Sequence, residues 1–208
     1  MGGRREEVLD AALAIADEAG LDAVSMRAVA DRLGVTPMAL YRHVDGKDAL
    51  LDGLVGRVLA GLLPADGGKE LPWGERLRAL AYACREATLR HPWSAQLLFS
   101  RPAVTLDAVR VVELVFTALL DAGVPEHEVP RLERLVSTFV IGFAVSEAAG
   151  RFGPGRIDTR SRRAGFGEGE LPAHQRLAPW LDLPLDVAAE FDADLADLER
   201  LIEAAARR

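Results

Sequence analysis

The chain has 208 residues, half of them apolar, with 27% charged and a formal net charge of −7. The net negative charge argues against non-specific coating of nucleic acid, and the single cysteine, Cys84, excludes an internal disulfide framework and a thiolate metal cluster. No apolar run approaches the roughly 18 residues of a membrane span, and the start, MGGRREEVLD, lacks the apolar stretch of a secretory signal, so a cytoplasmic protein is expected.

Ala and Leu dominate the composition and β-branched runs are few, which leans helical. Residues 5–19 read as an amphipathic helix, with Val8, Leu9, Ala12, Ile15 and Ala16 on one face and Gly20 as its stop. Ser25 is a suitable N-cap for a helix over Met26 to Leu33. Gly34 takes the left-handed turn that a bulkier residue resists. Thr36 caps a second helix with Pro37 at its first position, running to about Val44. Asp45-Gly46 breaks it, and a long helix follows from about Lys47 to Leu63. The stretch from Pro64 to Pro72 is a linker.

Beyond the linker, helices are expected over Gly74 to Arg90, then to about Ser100 after the His91-Pro92 break, then over Val104 to Ala122 and Glu126 to Ala149. The last is expected to run unbroken through Gly142. Gly150 to Glu170 holds six glycines and five arginines and reads as a mobile loop. A short helix is expected within Leu171 to Leu183, and a final one over Asp186 to Ala206. The final helix carries Val187, Phe191, Leu195, Leu198 and Ile202 on a narrow seam that suits packing against another helix. Aspartate at Phe191 is expected to give monomers if that seam is a dimer interface. The fold class is therefore all-α: a three-helix head over residues 1–63 and a larger helical bundle over 64–208 with a mobile loop near 150–170.

The head holds the sharpest motif. Val29, Ala30, Leu33, Val35, Leu40 and Val44 supply an apolar inner surface for a helix-turn-helix pair. The outer face of the second helix presents Pro37, Met38, Tyr41 and Arg42. Such a helix enters the DNA major groove while the first braces it across the backbone. Arg42 suits guanine edges or phosphates, Met38 a thymine methyl, and Tyr41 a phosphate. Arg27 reaches a guanine or the backbone, and Lys47 sits at a helix N-terminus where a phosphate is favoured. From Arg27 to Lys47 there are four Lys or Arg against two Asp, whereas Asp182 to Glu203 holds eight acids and one base. Charge is thus sorted along the chain, and a DNA face needs only local positive potential.

The order of these residues resembles the tetracycline-repressor (TetR) family of bacterial regulators. The match lies in Ala30…Leu33-Gly34-Val35, Leu40-Tyr41-Arg42-His43-Val44, Lys47 and Leu50-Leu51, and is dense over Val8 to Leu54. The resemblance implies an all-α homodimer with one helix-turn-helix per subunit. By motif position it places DNA-facing roles on Ser25, Arg27, Thr36, Pro37, Met38, Tyr41, Arg42, His43 and Lys47; Ser25 and Thr36 are equally readable as pure caps. Weaker likeness continues through Trp73, His91, Arg101-Pro102, Phe139 and Gly142. It implies a ligand cavity among the middle helices and a dimer interface of two late helices from each subunit. Where the tetracycline repressor carries its metal-binding histidine and its drug-contacting histidine and asparagine, this chain has Leu97, Leu63 and Leu80. Leucines cannot ligate a magnesium–drug chelate, and His43, His91, His127 and His174 show no metal-ligand spacing. No metal or cofactor is expected. Any effector should be largely apolar, with Leu80, Cys84, Leu97, Arg101, Phe116, Phe139 and Phe143 as candidate lining residues; each apolar one also reads as plain core.

The expectation is a ligand-responsive transcriptional regulator, in all expectation a repressor. It would bind palindromic double-stranded operator DNA as a homodimer and be released by a small-molecule effector. The rival is a helical small-molecule-binding or interaction protein without DNA binding. An enzyme is not expected, because no nucleophile–base, phosphate-loop or metal signature is present.

Overall fold

The computed structural model describes residues 3–64, 71–153, 165, 167 and 169–207, and every regular element in them is helical. In chain order these are α1 (Arg4–Ala19), a 3₁₀ turn (Leu21–Ala23), α2 (Met26–Leu33), α3 (Pro37–Leu40), α4 (Gly46–Ala60), α5 (Trp73–Arg90), α6 (Ser94–Ser100), α7 (Leu106–Asp121), α8 (Val129–Ala148), α9 (Pro172–Leu181) and α10 (Val187–Ala206). Most of the expected linker and most of the expected mobile loop lie outside the described residues.

Local chemistry sets the boundaries in the head. Ser25 Oγ accepts from the Ala28 amide at 3.1 Å and starts α2. Gly34, at φ 65° and ψ 33°, ends it in the left-handed region. The Val35 amide then returns to the Ala30 carbonyl at 3.0 Å, closing the last turn. Thr36 occupies the N-cap position of α3 but makes no side-chain cap bond. Regular α3 stops at Leu40, four residues before the expected end. The winding continues as a turn in which the His43 and Val44 amides donate to the Leu40 carbonyl at 2.8 and 3.0 Å. The sharp entry into α4 stops it there: Asp45 leaves the helical region and Gly46 takes φ 84°.

In the larger part, Thr105 Oγ1 accepts from Ala108 to start α7 and Asp186 accepts from Ala188 and Ala189 to start α10. The helix α8 runs unbroken through Gly142, as expected.

Two apolar clusters form. The head cluster gathers Val8, Ala12, Val24, Val29, Ala30, Leu40, Leu50 and Leu54. The larger cluster gathers Leu77, Ala81, Leu119, Leu132, Val136, Phe191, Leu195 and Ile202. The helix α4 belongs to both: Leu50, Leu51, Leu54 and Val55 pack in the first, and Val58, with Leu62 just past its end, in the second. Two glycines let its neighbours approach closely. A Cβ at Gly53 would meet Leu9 Cδ2 at 2.3 Å, and one at Gly56 would meet Thr105 Oγ1 at 2.5 Å. The second contact seats the start of α7 directly on α4.

The seam of the final helix packs on helices of its own chain. Phe191 is fully buried within its own protomer, with its ring edge-on to Tyr82 and against Phe139 and Phe143. Arg85 lies over the same ring at 5.4 Å and forms a two-pronged pair with Glu147 at 2.5 and 2.6 Å. Arg78 and Tyr82 of α5 hold Asp192 and Glu199. The α10 seam therefore packs first against α5 and α8 of the same chain.

Candidate nucleic-acid interface and ligand cavity

The helix-turn-helix and the start of α4 leave a set of polar and aromatic side chains in solvent: Arg27, Thr36, Pro37, Met38, Tyr41, Arg42, His43 and Lys47 are all exposed on this face of the sequence motif, and Ser25 is half-buried. The inner residues Val29, Ala30, Leu40 and Val44 are buried, while Leu33 and Val35 are partly so. Met38 is 75% exposed and Tyr41 51% exposed. Neither adds to the core, and both stand beside Arg42, which makes no hydrogen bond or ion pair with any described residue. Arg27 has only a long contact to Asp31 at 3.9 Å, with both side chains in solvent, which contributes little to stability. Ser25 spends its lone pair on the cap, yet its hydroxyl proton is free to donate; the Thr36 hydroxyl, with no cap bond, is free in both senses. Lys47 is the second residue of α4, among amides with no partner inside the helix. Arg32, by contrast, turns away from this face and pairs with Glu18 of α1. That hydrogen bond holds the Glu18 carboxyl below its ordinary range.

A cavity of about 210 Å³ lies among α4, α5, α7 and α8. Of the seven candidate lining residues, Leu80, Cys84 and Arg101 line it. Leu97, Phe116, Phe139 and Phe143 do not. Leu97 is buried in the head cluster, carried there by α6. Phe139 and Phe143 point to Phe191, because each residue along α8 turns the side chain by about 100° and Val136 and Val140 hold the cavity side. Phe116 packs on the larger cluster outside the cavity wall. Residues missed by the sequence reading supply the rest: Ala108, Val111, Val112 and Val115 of α7, and Glu133, Val136, Ser137 and Val140 of α8. Both sets recur at i, i+3, i+4, i+7, a signal present in the sequence, with Glu133 and Ser137 as polar interruptions of an apolar stripe.

Arg101 joins the two regions. It follows α6 directly, and its guanidinium donates to Asp52 Oδ1 at 2.7 Å, Asp48 Oδ1 at 2.6 Å and the Asp48 carbonyl at 3.2 Å. These carboxylates, Asp48 first, raise its pKa further above the ordinary guanidinium range. Asp48 is the neighbour of Lys47, so a cavity-lining side chain grips the end of α4 nearest the exposed face. A second tie runs from the α5–α6 corner to α1, where Asp17 Oδ1 meets His91 Nδ1 at 2.7 Å and accepts from Trp93 Nε1 at 2.6 Å.

Cys84 is buried against this cavity, and burial pushes its thiol up to about 11. Burial disfavours the thiolate, so alkylation of the folded protein by iodoacetamide is expected to run about a hundredfold slower than for an exposed cysteine at neutral pH. The rate should climb toward pH 11 and jump on denaturation. Mass spectrometry of the alkylated chain checks this; a fast reaction whose rate levels off by about pH 9–10 would show the thiol to be exposed. By linkage, the neutral thiol adds stability at lower pH, and that contribution is lost as pH rises past the unfolded value toward the folded one.

The described residues thus combine an exposed helix-turn-helix with a helical body that holds an apolar cavity. The chain matches the model "Bacterial regulatory proteins, tetR family" over residues 8–54. It also matches the model "Tetracyclin repressor-like, C-terminal domain" over residues 63–176. The chain belongs to the tetR family, whose members are transcriptional regulators and not enzymes. It is 37% identical over 143 residues to the HTH-type transcriptional repressor DrrR1 of Streptomyces coeruleorubidus, covering 68% of this chain and 53% of that one. It is 41% identical over 103 residues to the class D tetracycline repressor protein of Escherichia coli, covering 47% and 46%. The chain thus spans about half the length of these curated relatives. The solved structure of apo ActR from Streptomyces coelicolor superposes with a TM-score of 0.82 at 26% identity, covering 99% of this chain and 98% of that one.

Proposed function

We propose that the protein is a ligand-responsive repressor. It binds palindromic double-stranded operator DNA in the cytoplasm as a homodimer and leaves it when a small, largely apolar effector fills the cavity. The observation that carries this reading is the exposed Pro37, Met38, Tyr41, Arg42 face, whose side chains contribute nothing to the protein's own core. Ser25, Arg27, Thr36, His43 and Lys47 flank it with donors suited to phosphates. The division into a DNA-binding head over 1–63 and a ligand-binding and dimerisation part over 64–208 belongs to the same proposal.

A palindrome requires a two-fold pair of heads about 34–36 Å apart. The exposed Leu135 of α8 and Leu201 of α10 favour these two helices as the subunit contact, with Phe191 as the packing beneath it. Effector binding would act on α4 through the Arg101 grip and the close Gly56–Thr105 seat. Complete release, from 99:1 bound-competent to 1:99, needs about 5.5 kcal/mol of differential effector affinity.

Fluorescence anisotropy on a palindromic duplex selected from a random library tests the reading. Affinity should fall steeply and linearly on a log–log plot against salt. Absent or salt-independent binding across the library would sink it.

The Arg101 grip gives a further expectation. Arg101→Ala should cost about 1–3 kcal/mol in denaturant unfolding, the range for charge-assisted bonds to partly buried groups. Asp52→Asn should cost a comparable part of this, because Asp52 is only 29% exposed. Asp48→Asn should cost little, since its carboxylate is 90% exposed. Arg101→Lys should not rescue, because one ammonium cannot span both carboxylates and a carbonyl as the planar fork does. Equal losses for Asp48→Asn and Asp52→Asn would contradict this account.

A further inference from the structure

The cavity wall is almost wholly Val, Leu, Ile and Ala, so its few polar groups determine what it selects. They are Cys84, Arg101, Glu133 and Ser137. The Cys84 thiol is a weak hydrogen-bonding group. Arg101 is already committed to Asp48 and Asp52. Ser137 Oγ donates to Glu133 Oε1 at 2.6 Å, which fixes the carboxylate and uses one of its acceptor sites. No cation among the described residues pairs with Glu133, and the nearby Arg131 is held by Glu128. A half-buried carboxylate on an apolar wall loses hydration that the single Ser137 bond replaces only in part. Among the described lining residues Glu133 is the one carboxylate, and the one guanidinium, that of Arg101, is neutralised by Asp48 and Asp52 outside the lining.

We propose that the cavity takes a small apolar molecule bearing a protonated amine, with the amine donating to Glu133 and the apolar body lying against Val111, Val115, Val136 and Val140. The proposal rests on the reading of this cavity as the effector site and adds the charge class of the effector. A cavity of about 150 Å³ accepts one benzene ring, so the present volume of about 210 Å³ suits a two-ring body. An anionic ligand meets the wrong sign at Glu133, and a neutral one leaves that carboxylate without a counter-charge.

Isothermal titration calorimetry on the full-length protein with naphthylmethylamine, naphthalenemethanol and naphthoate tests this, with protection of Cys84 from iodoacetamide as the report that the cavity is the site. The amine is expected to bind on the order of tenfold or more tighter than the alcohol, as a charge-assisted bond requires, with naphthoate weakest. Glu133→Gln, which keeps the size and the Ser137 contact, should bring the amine down to the level of the alcohol. Equal binding of amine and alcohol, or tighter binding of naphthoate, overturns the charge assignment while leaving the cavity as a ligand site. Failure of all three to bind or to protect Cys84 overturns the effector-site reading itself. Should Glu133→Gln not fold, the ligand series on the parent protein still decides the sign.

Discussion

Alanine in place of Arg42 is expected to weaken operator binding by about 1–3 kcal/mol, or roughly fivefold to a hundredfold, with no change in thermal unfolding. The two halves of this expectation come from one observation. The Arg42 side chain is exposed in the turn that follows α3 and makes no hydrogen bond or ion pair with a described residue that its removal could break. Its whole contribution is therefore available to a partner. The manner of the loss separates two roles. A phosphate contact gives a weakening common to all duplexes and a salt slope shallower by about one ion. A contact to a guanine edge gives a loss confined to the preferred duplex, with relaxed preference at one position. Tyr41→Phe, which keeps the ring and removes the hydroxyl, should cost less. An Arg42→Ala protein that binds a selected duplex as tightly as the parent would remove the exposed face from the mechanism.

Phe191→Ala is expected to cost about 3–5 kcal/mol of stability. The ring is fully buried and holds together three helices: Tyr82 and Arg85 of α5 and Phe139 and Phe143 of α8 meet it from the two sides of α10. Its removal leaves a cavity between them and an Arg85 guanidinium with one face unsupported. Phe191→Asp should be worse, because it adds a buried charge close to Glu147 and Asp192. Denaturant unfolding followed by circular dichroism, at fixed subunit concentration, measures the loss. A Phe191→Asp protein that is folded, native-like and monomeric would instead mark the ring as a subunit contact. Leu135 and Leu201, exposed in the protomer, are the positions where a charge should separate subunits without unfolding them.

The contrast between Arg42 and Phe191 shows how far local reading reaches. In the head, each boundary is set by groups a few residues apart: the Ser25 cap, the Gly34 left-handed turn, and the Asp45-Gly46 break. The exposed face follows, because a four-residue helix with Leu40 buried has little choice about where Met38 and Tyr41 point. In the larger part, periodicity locates α5, α7 and α8 but not their neighbours. A broad apolar stripe on α8 hides two faces, one turned to Phe191 and one to the cavity, and nothing in the order of residues says which is which.

The sequence by itself determined the all-helical class and the helix-turn-helix, because these depend on caps, turns and residue identity. Only the tertiary structure decided that Leu97 serves the head, that Phe191 is internal, that Arg101 reaches across to Asp48 and Asp52, and that Glu133 lines an apolar cavity with no cation among the described residues paired to it. Those facts depend on which helices come to lie side by side, and pairings between residues some 50 to 110 positions apart leave no local trace in the chain.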